Sequence, residues 1–168
     1  PWYHGPTLLG YLETVDPGRQ QLAAESFRLP VQWVNRPNLD FRGFAGTVAS
    51  GSVKPGDRIR VQPSGRESRV ARIVTADGDL PAAVAGQSVT LTLADEIDIS
   101  RGNVISRADS PAEVADQFEA TLVWMAEEPM FPGRAYLLKI GTETVTATIT
   151  QPKYKLNVNT LEHLAARK

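Results

Sequence analysis

Turn chemistry recurs along this chain at short intervals, and no other feature restricts its fold as strongly. Asn35-Arg36-Pro37-Asn38, Ser50-Gly51, Lys54-Pro55-Gly56-Asp57 and Ser100-Arg101-Gly102 break it about every 8 to 12 residues, the rhythm of a small barrel or sandwich. Between the breaks the hydrophobic period is two. In residues 26–34 (SFRLPVQWV), Phe27, Leu29, Val31 and Trp33 alternate with Ser26, Arg28, Pro30, Gln32 and Val34, which sets the first four toward a core. Pro30 lacks a ladder donor, so this strand is expected at an edge or with a bulge. Further strands are expected at 41–49, 58–61, 68–75, 87–93 and 103–106, with Gly43 and Gly46 permitting sharp bending in the first of them. Residues 26–108 therefore read as one all-β barrel domain.

Ala108-Asp109-Ser110-Pro111 marks a natural boundary. Beyond it, residues 117–125 (QFEATLVWM), 134–140 (RAYLLKI) and 144–150 (TVTATIT) carry strand-forming patterns. Residues 153–158 alternate lysines with Tyr154, Leu156 and Val158, and residues 160–167 are expected to form a short helical turn starting at a Thr160 cap. About four strands in roughly fifty residues are few for a sheet with both faces covered, so residues 112–168 read as a second, incomplete β-barrel. Upstream of both, Leu8, Leu9, Leu12 and Val15 repeat at helical spacing behind a Thr7 cap, and Asp16-Pro17-Gly18 ends the run. Two readings of residues 1–25 stay open. They are the last helix and linker of a preceding domain, against which Trp2 and Tyr3 would pack, or a helix laid across the barrel.

Composition excludes more than it assigns. The 168 residues carry 18 basic and 19 acidic side chains, a net charge of −1, so nothing global attracts nucleic acid or an anionic membrane. With no cysteine, disulfides, thiolate metal sites and cysteine nucleophiles are out of reach. No apolar run approaches a membrane span, and a soluble, cytoplasmic protein is expected. The phosphate-loop pattern G-x-x-x-x-G-K-S/T is missing, and Gly18-Arg19-Gln20-Gln21 lacks its second glycine and its lysine. His4 and His163 lie near opposite ends, without the spacing of a metal site or a triad. Asp95, Glu96 and Asp98 fall in a turn region where a solvated loop is the ordinary explanation. No catalytic, cofactor-binding or metal-ligating residue is therefore expected.

The basic residues offer the one candidate surface. Arg58, Arg60, Arg66, Arg69 and Arg72 fall within a short stretch, opposed only by Asp57 and Glu67, and would place a positive strip at one end of the first barrel as a partner or anion contact. Strand geometry puts Arg58 and Arg60 outward while Ile59 and Val61 face the core. The competing explanation is a solvated outer face. Stacking on nucleic-acid bases needs aromatics among the cations, and none occurs between Phe44 and Phe118.

The segments FRGFAGTVASGSVKPGDRIRV, AAVAGQSVTLTL and DISRGNVIS resemble the second domain of elongation-factor-Tu-like translational GTPases. The opening PWYHGPTLLGYLETV and the later YLLKIGTETVTATITQPKYKLNVNTLEHLAA resemble the sulfate-activating branch of that superfamily, the large GTPase subunits of sulfate adenylyltransferase. The resemblance covers almost the whole chain. It implies an elongation-factor-Tu domain 2-like barrel followed by a partial domain 3-like barrel. It also implies a heteromer that makes adenosine 5'-phosphosulfate from ATP and sulfate, coupled to GTP hydrolysis. The expected partners are the catalytic small subunit and the protein's own GTPase domain, with no membrane and no nucleic acid. GTP and Mg would bind in that other domain, no cofactor would bind these residues, and the segment alone is expected to be inactive. The alternative is a translation-factor-like barrel that binds tRNA or RNA.

Overall fold

The structure is a computed structural model that describes residues 4–15 and 19–166; Trp2, Tyr3 and the expected stop at 16–18 lie outside them. The opening helix α1 (Leu8–Thr14) forms as its pattern requires. Thr7 is extended, its Oγ1 accepts from Gly10 N at 3.1 Å, and Val15 N–H closes the far end on Tyr11 O at 2.8 Å. α1 buries none of its residues, with Leu8 75% and Leu9 66% exposed, so the reading that lays it across the barrel is overturned. A second helix, α2 (Arg19–Ala24), stands where only a polar stretch was expected. Gln, Leu and Ala propagate helix well without an amphipathic pattern. The carbonyl of Leu22 accepts from Gly51 N at 2.7 Å, so α2 ties the start of the chain to the barrel.

The barrel strands are β1 (Arg28–Pro30), β2 (Trp33–Asn35), β3 (Gly43–Thr47), β4 (Ser52–Val53), β5 (Arg58–Gln62), β6 (Glu67–Thr75), β7 (Gly78–Asp79), β8 (Ala83–Val84), β9 (Ser88–Leu93) and β10 (Val104–Arg107). An 8-stranded antiparallel sheet runs β1-β10-β5-β6-β9-β3-β2, with β7 beside β6, while β4 and β8 pair separately. The sheet closes where its two ends meet. Val31 N bonds Asn103 O at 2.9 Å on the β10 side, and the next residue, Gln32, bonds Ala45 O at 2.8 Å on β3. The chain thus changes partner between consecutive residues. Arg28 N to Ser50 O at 3.0 Å and Ala49 N to Arg28 O at 2.8 Å seal the other side of β1. A Cβ on Gly46 would stand 2.4 Å from Pro30 O, so only glycine lets the strands approach this closely.

This switch corrects one expectation. Phe27, Leu29 and Val31 are fully buried, but Trp33 is 64% exposed and Val34 packs on the core instead. A break in a strand shifts the side-chain phase by one, and every residue after it changes face. Pro30 is accommodated because β1 ends there. The core gathers Phe44, Ile59, Val61, Val70, Ile73, Leu91 and Ile105 from β3, β5, β6, β9 and β10 around the first three. A register shift between Val70 and Arg72 leaves Ala71 and Arg72 both outside and returns Ile73 to the core, the usual effect of a β-bulge.

The chain divides by compactness after Val114. In the second unit, β11 (Ala135–Ile140) pairs antiparallel with β12 (Glu143–Thr148), and β13 (Tyr154–Leu156) with β14 (His163–Ala165). No described residue from 115 onward is buried, so these hairpins stand without a core of their own. Two expectations fail here. Residues 117–125 form no strand; Trp124 instead donates its indole N–H to Glu128 O at 2.7 Å and meets Tyr136 edge-on at 5.5 Å. The helical turn at 160–167, of which 167 is outside the described residues, is replaced by β14. Thr160 Oγ1 donates to Glu162 Oε2 at 3.1 Å rather than capping a helix, Asn157 Oδ1 accepts from Asn159 N at 2.9 Å, and His163 stacks on Tyr154 at 3.9 Å. Cross-strand pairing and ring stacking outweigh the weak helix propensity of so short a segment.

Candidate functional site

The candidate arginines sit on the hairpin β5–β6 and on what flanks it. The turn feeding β5 is built from Lys54-Pro55-Gly56-Asp57. Gly56 has φ +91° behind Pro55, the pattern of a type II turn, and Asp57 Oδ2 accepts from Lys54 N at 2.9 Å. Two-residue alternation then buries Ile59 and Val61 and leaves Arg58 and Arg60 on the outer face.

The five arginines differ in their partners. Arg58 Nη2 donates to Glu67 Oε2 at 2.8 Å, and Arg60 Nε lies 3.4 Å from Glu67 Oε1 without the alignment of a hydrogen bond. Glu67 therefore serves both cations. Arg72 forks onto Asp79 of β7, beyond the bulge in β6. Arg66 lies in the turn between β5 and β6, and among the described residues its guanidinium has no ion pair. Arg69 is the cross-strand partner of Arg58, and its Nη1 donates only to the carbonyl of Gly56, at 3.0 Å.

Arg58 and Arg69 line a cleft of about 330 Å³ with Gly56, Asp57, Arg107, Ala108 and Asp109. The strand β10 delivers the last three, since Ala108 N bonds Arg58 O at 3.1 Å. Arg107 Nε donates to Asp109 Oδ1 at 3.1 Å, and its Nη1 lies 4.0 Å from Asp57 Oδ2. The hydrogen bond from Arg107 holds the Asp109 carboxyl below its ordinary range, aided by the charges of Arg107 and Arg58. Sequence reading missed Arg107 and Asp109 because nothing in the chain shows that β10 ends beside the turn at 54–57. A second hollow, about 410 Å³, is lined by Gln32, Phe41, Thr75 and Ser88 among others and by no charged group.

The remaining polar clusters have structural duties. Ser68 Oγ donates to Asp95 Oδ2 at 2.7 Å, Asp98 takes Arg42 at 3.4 Å, and Ile97 and Ile99 on either side of Asp98 are buried. Among the described residues no group of three His, Asp or Glu could hold a metal ion, and neither short helix follows a glycine-rich strand turn. The chemistry available to the arginine surface is recognition of negative charge, with no nucleophile and base brought together.

Residues 45–106 match the family Elongation factor Tu domain 2, and residues 117–168 match GTP-eEF1A C-terminal domain-like. NodQ, a bifunctional enzyme of Azospirillum brasilense, is 54% identical over 99% of the chain, which spans 27% of that protein. Sulfate adenylyltransferase subunit 1 of Laribacter hongkongensis is 53% identical and that of Shewanella oneidensis 54%, each over 99% of this chain and 34% of the relative. The chain thus spans about a third or less of the curated relatives it matches. Among solved structures, sup35 complexed with GDP superposes with a TM-score of 0.72 at 21% identity, covering 98% of this chain and 40% of that one. Translation elongation factor SelB of Methanococcus maripaludis gives 0.62 at 21%, covering 84% and 31%. These two likenesses speak to the fold.

Proposed function

Because the chain belongs to the translational GTPase superfamily, as a segment homologous to sulfate adenylyltransferase subunit 1, we propose that it is the non-catalytic β-barrel portion of such a subunit. In this reading the longer protein hydrolyses GTP, with Mg, in a domain outside this segment. The barrel couples that hydrolysis to formation of adenosine 5'-phosphosulfate from ATP and sulfate on a catalytic partner subunit. Both reactions draw on cytoplasmic nucleotides, and no helix of the described residues is long and apolar enough to cross a membrane.

The observation that carries the reading is 53–54% identity to subunit 1 over 99% of the chain, in residues that hold no phosphate loop. A barrel without a nucleotide site contributes mechanically. Its sheet closes on itself and its core side chains are buried, and such close-packed bodies move as units rather than deforming by degrees. The pairing of Arg58, Arg60 and Arg72 with Glu67 and Asp79 also argues against an RNA-binding strip, whose cations need to be free for phosphates.

The test is co-purification of the longer protein with its catalytic partner subunit, with and without this segment. Loss of the complex, or of GTP-dependent sulfate adenylylation, on deleting the barrel supports the reading. Steeply salt-dependent tRNA binding that disappears when Arg58 and Arg60 are neutralised would replace it with the RNA-binding alternative.

A further inference from the structure

We propose that the cleft between the turn at 54–57 and the end of β10 is a docking point for a carboxylate side chain on the surface of a partner protein, seated among Arg58, Arg69 and Arg107. The inference rests on the reading above only for the partner's identity.

The first observation is the register. Arg58 and Arg69 are direct cross-strand partners, and like charges in that position repel. Glu67 answers Arg58, but Arg69 has only the Gly56 carbonyl, a neutral acceptor. Its guanidinium therefore keeps donors for a negative group. The second observation is the third guanidinium, brought from a different strand. Arg107 faces the same cleft, and Asp57, one of its two carboxylate neighbours, is held by the backbone of Lys54 and sits 4.0 Å away. Counting Arg60, which shares Glu67 with Arg58, four cations (Arg58, Arg60, Arg69 and Arg107) meet three carboxylates (Glu67, Asp57 and Asp109), so one positive charge is left over. The Asp109 carboxyl is held low chiefly by its hydrogen bond from Arg107, with the charges of Arg107 and Arg58 adding to it.

The chemistry of the walls selects the occupant. A planar guanidinium fork matches a carboxylate bidentately. Asp57 and Asp109 flank the arginines and would repel the second charge and the neighbouring phosphates of a nucleic-acid strand. None of the lining residues is aromatic, so bases have nothing to stack on. Arg58 is 62% exposed and Arg107 42%, and a small free anion in so open a cleft is screened by water. A protein surface that covers the cleft removes that water and strengthens the pairing.

A rhodamine-labelled, amide-capped Gly-Ser peptide carrying a single central glutamate, titrated against the full chain by fluorescence anisotropy, tests the cleft directly. The expected result is saturable binding that Arg69→Glu or Arg107→Glu weakens by about tenfold, that Arg69→Gln weakens less, and that Arg66→Glu leaves unchanged. Thermal melts of each variant separate loss of binding from loss of fold. Binding of inorganic phosphate or of an oligothymidylate as tightly as the peptide, or equal loss in the Arg66 variant, overturns the proposal. The same Arg69→Glu change in the longer protein is expected to weaken its complex with the catalytic partner subunit. An unaltered complex overturns the docking role. If the wild-type protein forms no such complex, the functional reading fails, and the peptide titration still decides the cleft.

Discussion

Arg72 forks onto both carboxylate oxygens of Asp79, Nε to Oδ2 at 2.6 Å and Nη2 to Oδ1 at 2.9 Å, and so pins β7 against β6. The hydrogen bond and charge of Arg72 lower the Asp79 carboxyl from its ordinary range, and Asp79 in turn raises Arg72. A depressed carboxylate stabilises the fold above its unfolded pKa of about 3.9 and loses that contribution as pH falls through the folded value. Asp79→Asn is therefore expected to lower the melting temperature near neutral pH and to make no difference in strong acid. Melting curves of both proteins across that range check it, and added salt should shrink the neutral-pH gap.

The strand switch at residues 31–32 makes opposite predictions for two large side chains. Leu91 is fully buried and Trp33 is 64% exposed. Leu91→Ala is expected to cost about 2–5 kcal/mol, and Trp33→Ala within about 0.5 kcal/mol of neutral. Urea unfolding of the two variants decides whether the two-residue period runs unbroken through 26–34, in which case Trp33→Ala would be the costly one.

Two glycines test two different constraints. A Cβ at Gly46 collides with the Pro30 carbonyl at 2.4 Å, while one at Gly56 meets nothing within 4 Å and only the backbone, at φ +91°, resists it. Gly56→Ala is expected to cost about 1–2 kcal/mol, from left-handed strain. Gly46→Ala should cost more, since neither backbone can yield without breaking the closure between β1 and β3. Denaturant midpoints give the order.

The two units should differ in amide protection. Amides of β5, β6 and β9 lie over the barrel core, whereas β13 and β14 form an isolated hairpin with no buried residue. Two-stranded hairpins are marginal in water. Hydrogen exchange is expected to be slow in the first group, near the global unfolding limit, and fast in the second.

Local chemistry was legible wherever a few neighbouring residues decide the outcome. Thr7 caps α1, Pro55-Gly56 forms the turn, and Ile59 and Val61 face inward between Arg58 and Arg60, because capping, turn type and strand alternation are short-range effects. The candidate site was only half legible for the same reason. Arg58 and Arg69 were named from the chain and line the cleft, but Glu67 is shared by Arg58 and Arg60, Asp79 engages Arg72, and Arg107 came from β10, distant in sequence.

The sequence by itself determined an all-β first barrel, its turns and its inward residues Phe27, Leu29 and Val31, since turn residues and the two-residue period act without regard to what pairs with what. The tertiary structure decided partnership. It set the crossing from β10 to β3 that turned Trp33 outward, the bulge that kept Ile73 in the core, the choice of β14 over a helical turn, and the meeting of Arg58, Arg69 and Arg107 in one cleft. Each depends on hydrogen bonds and packing between residues distant in sequence, whose energies no local pattern encodes.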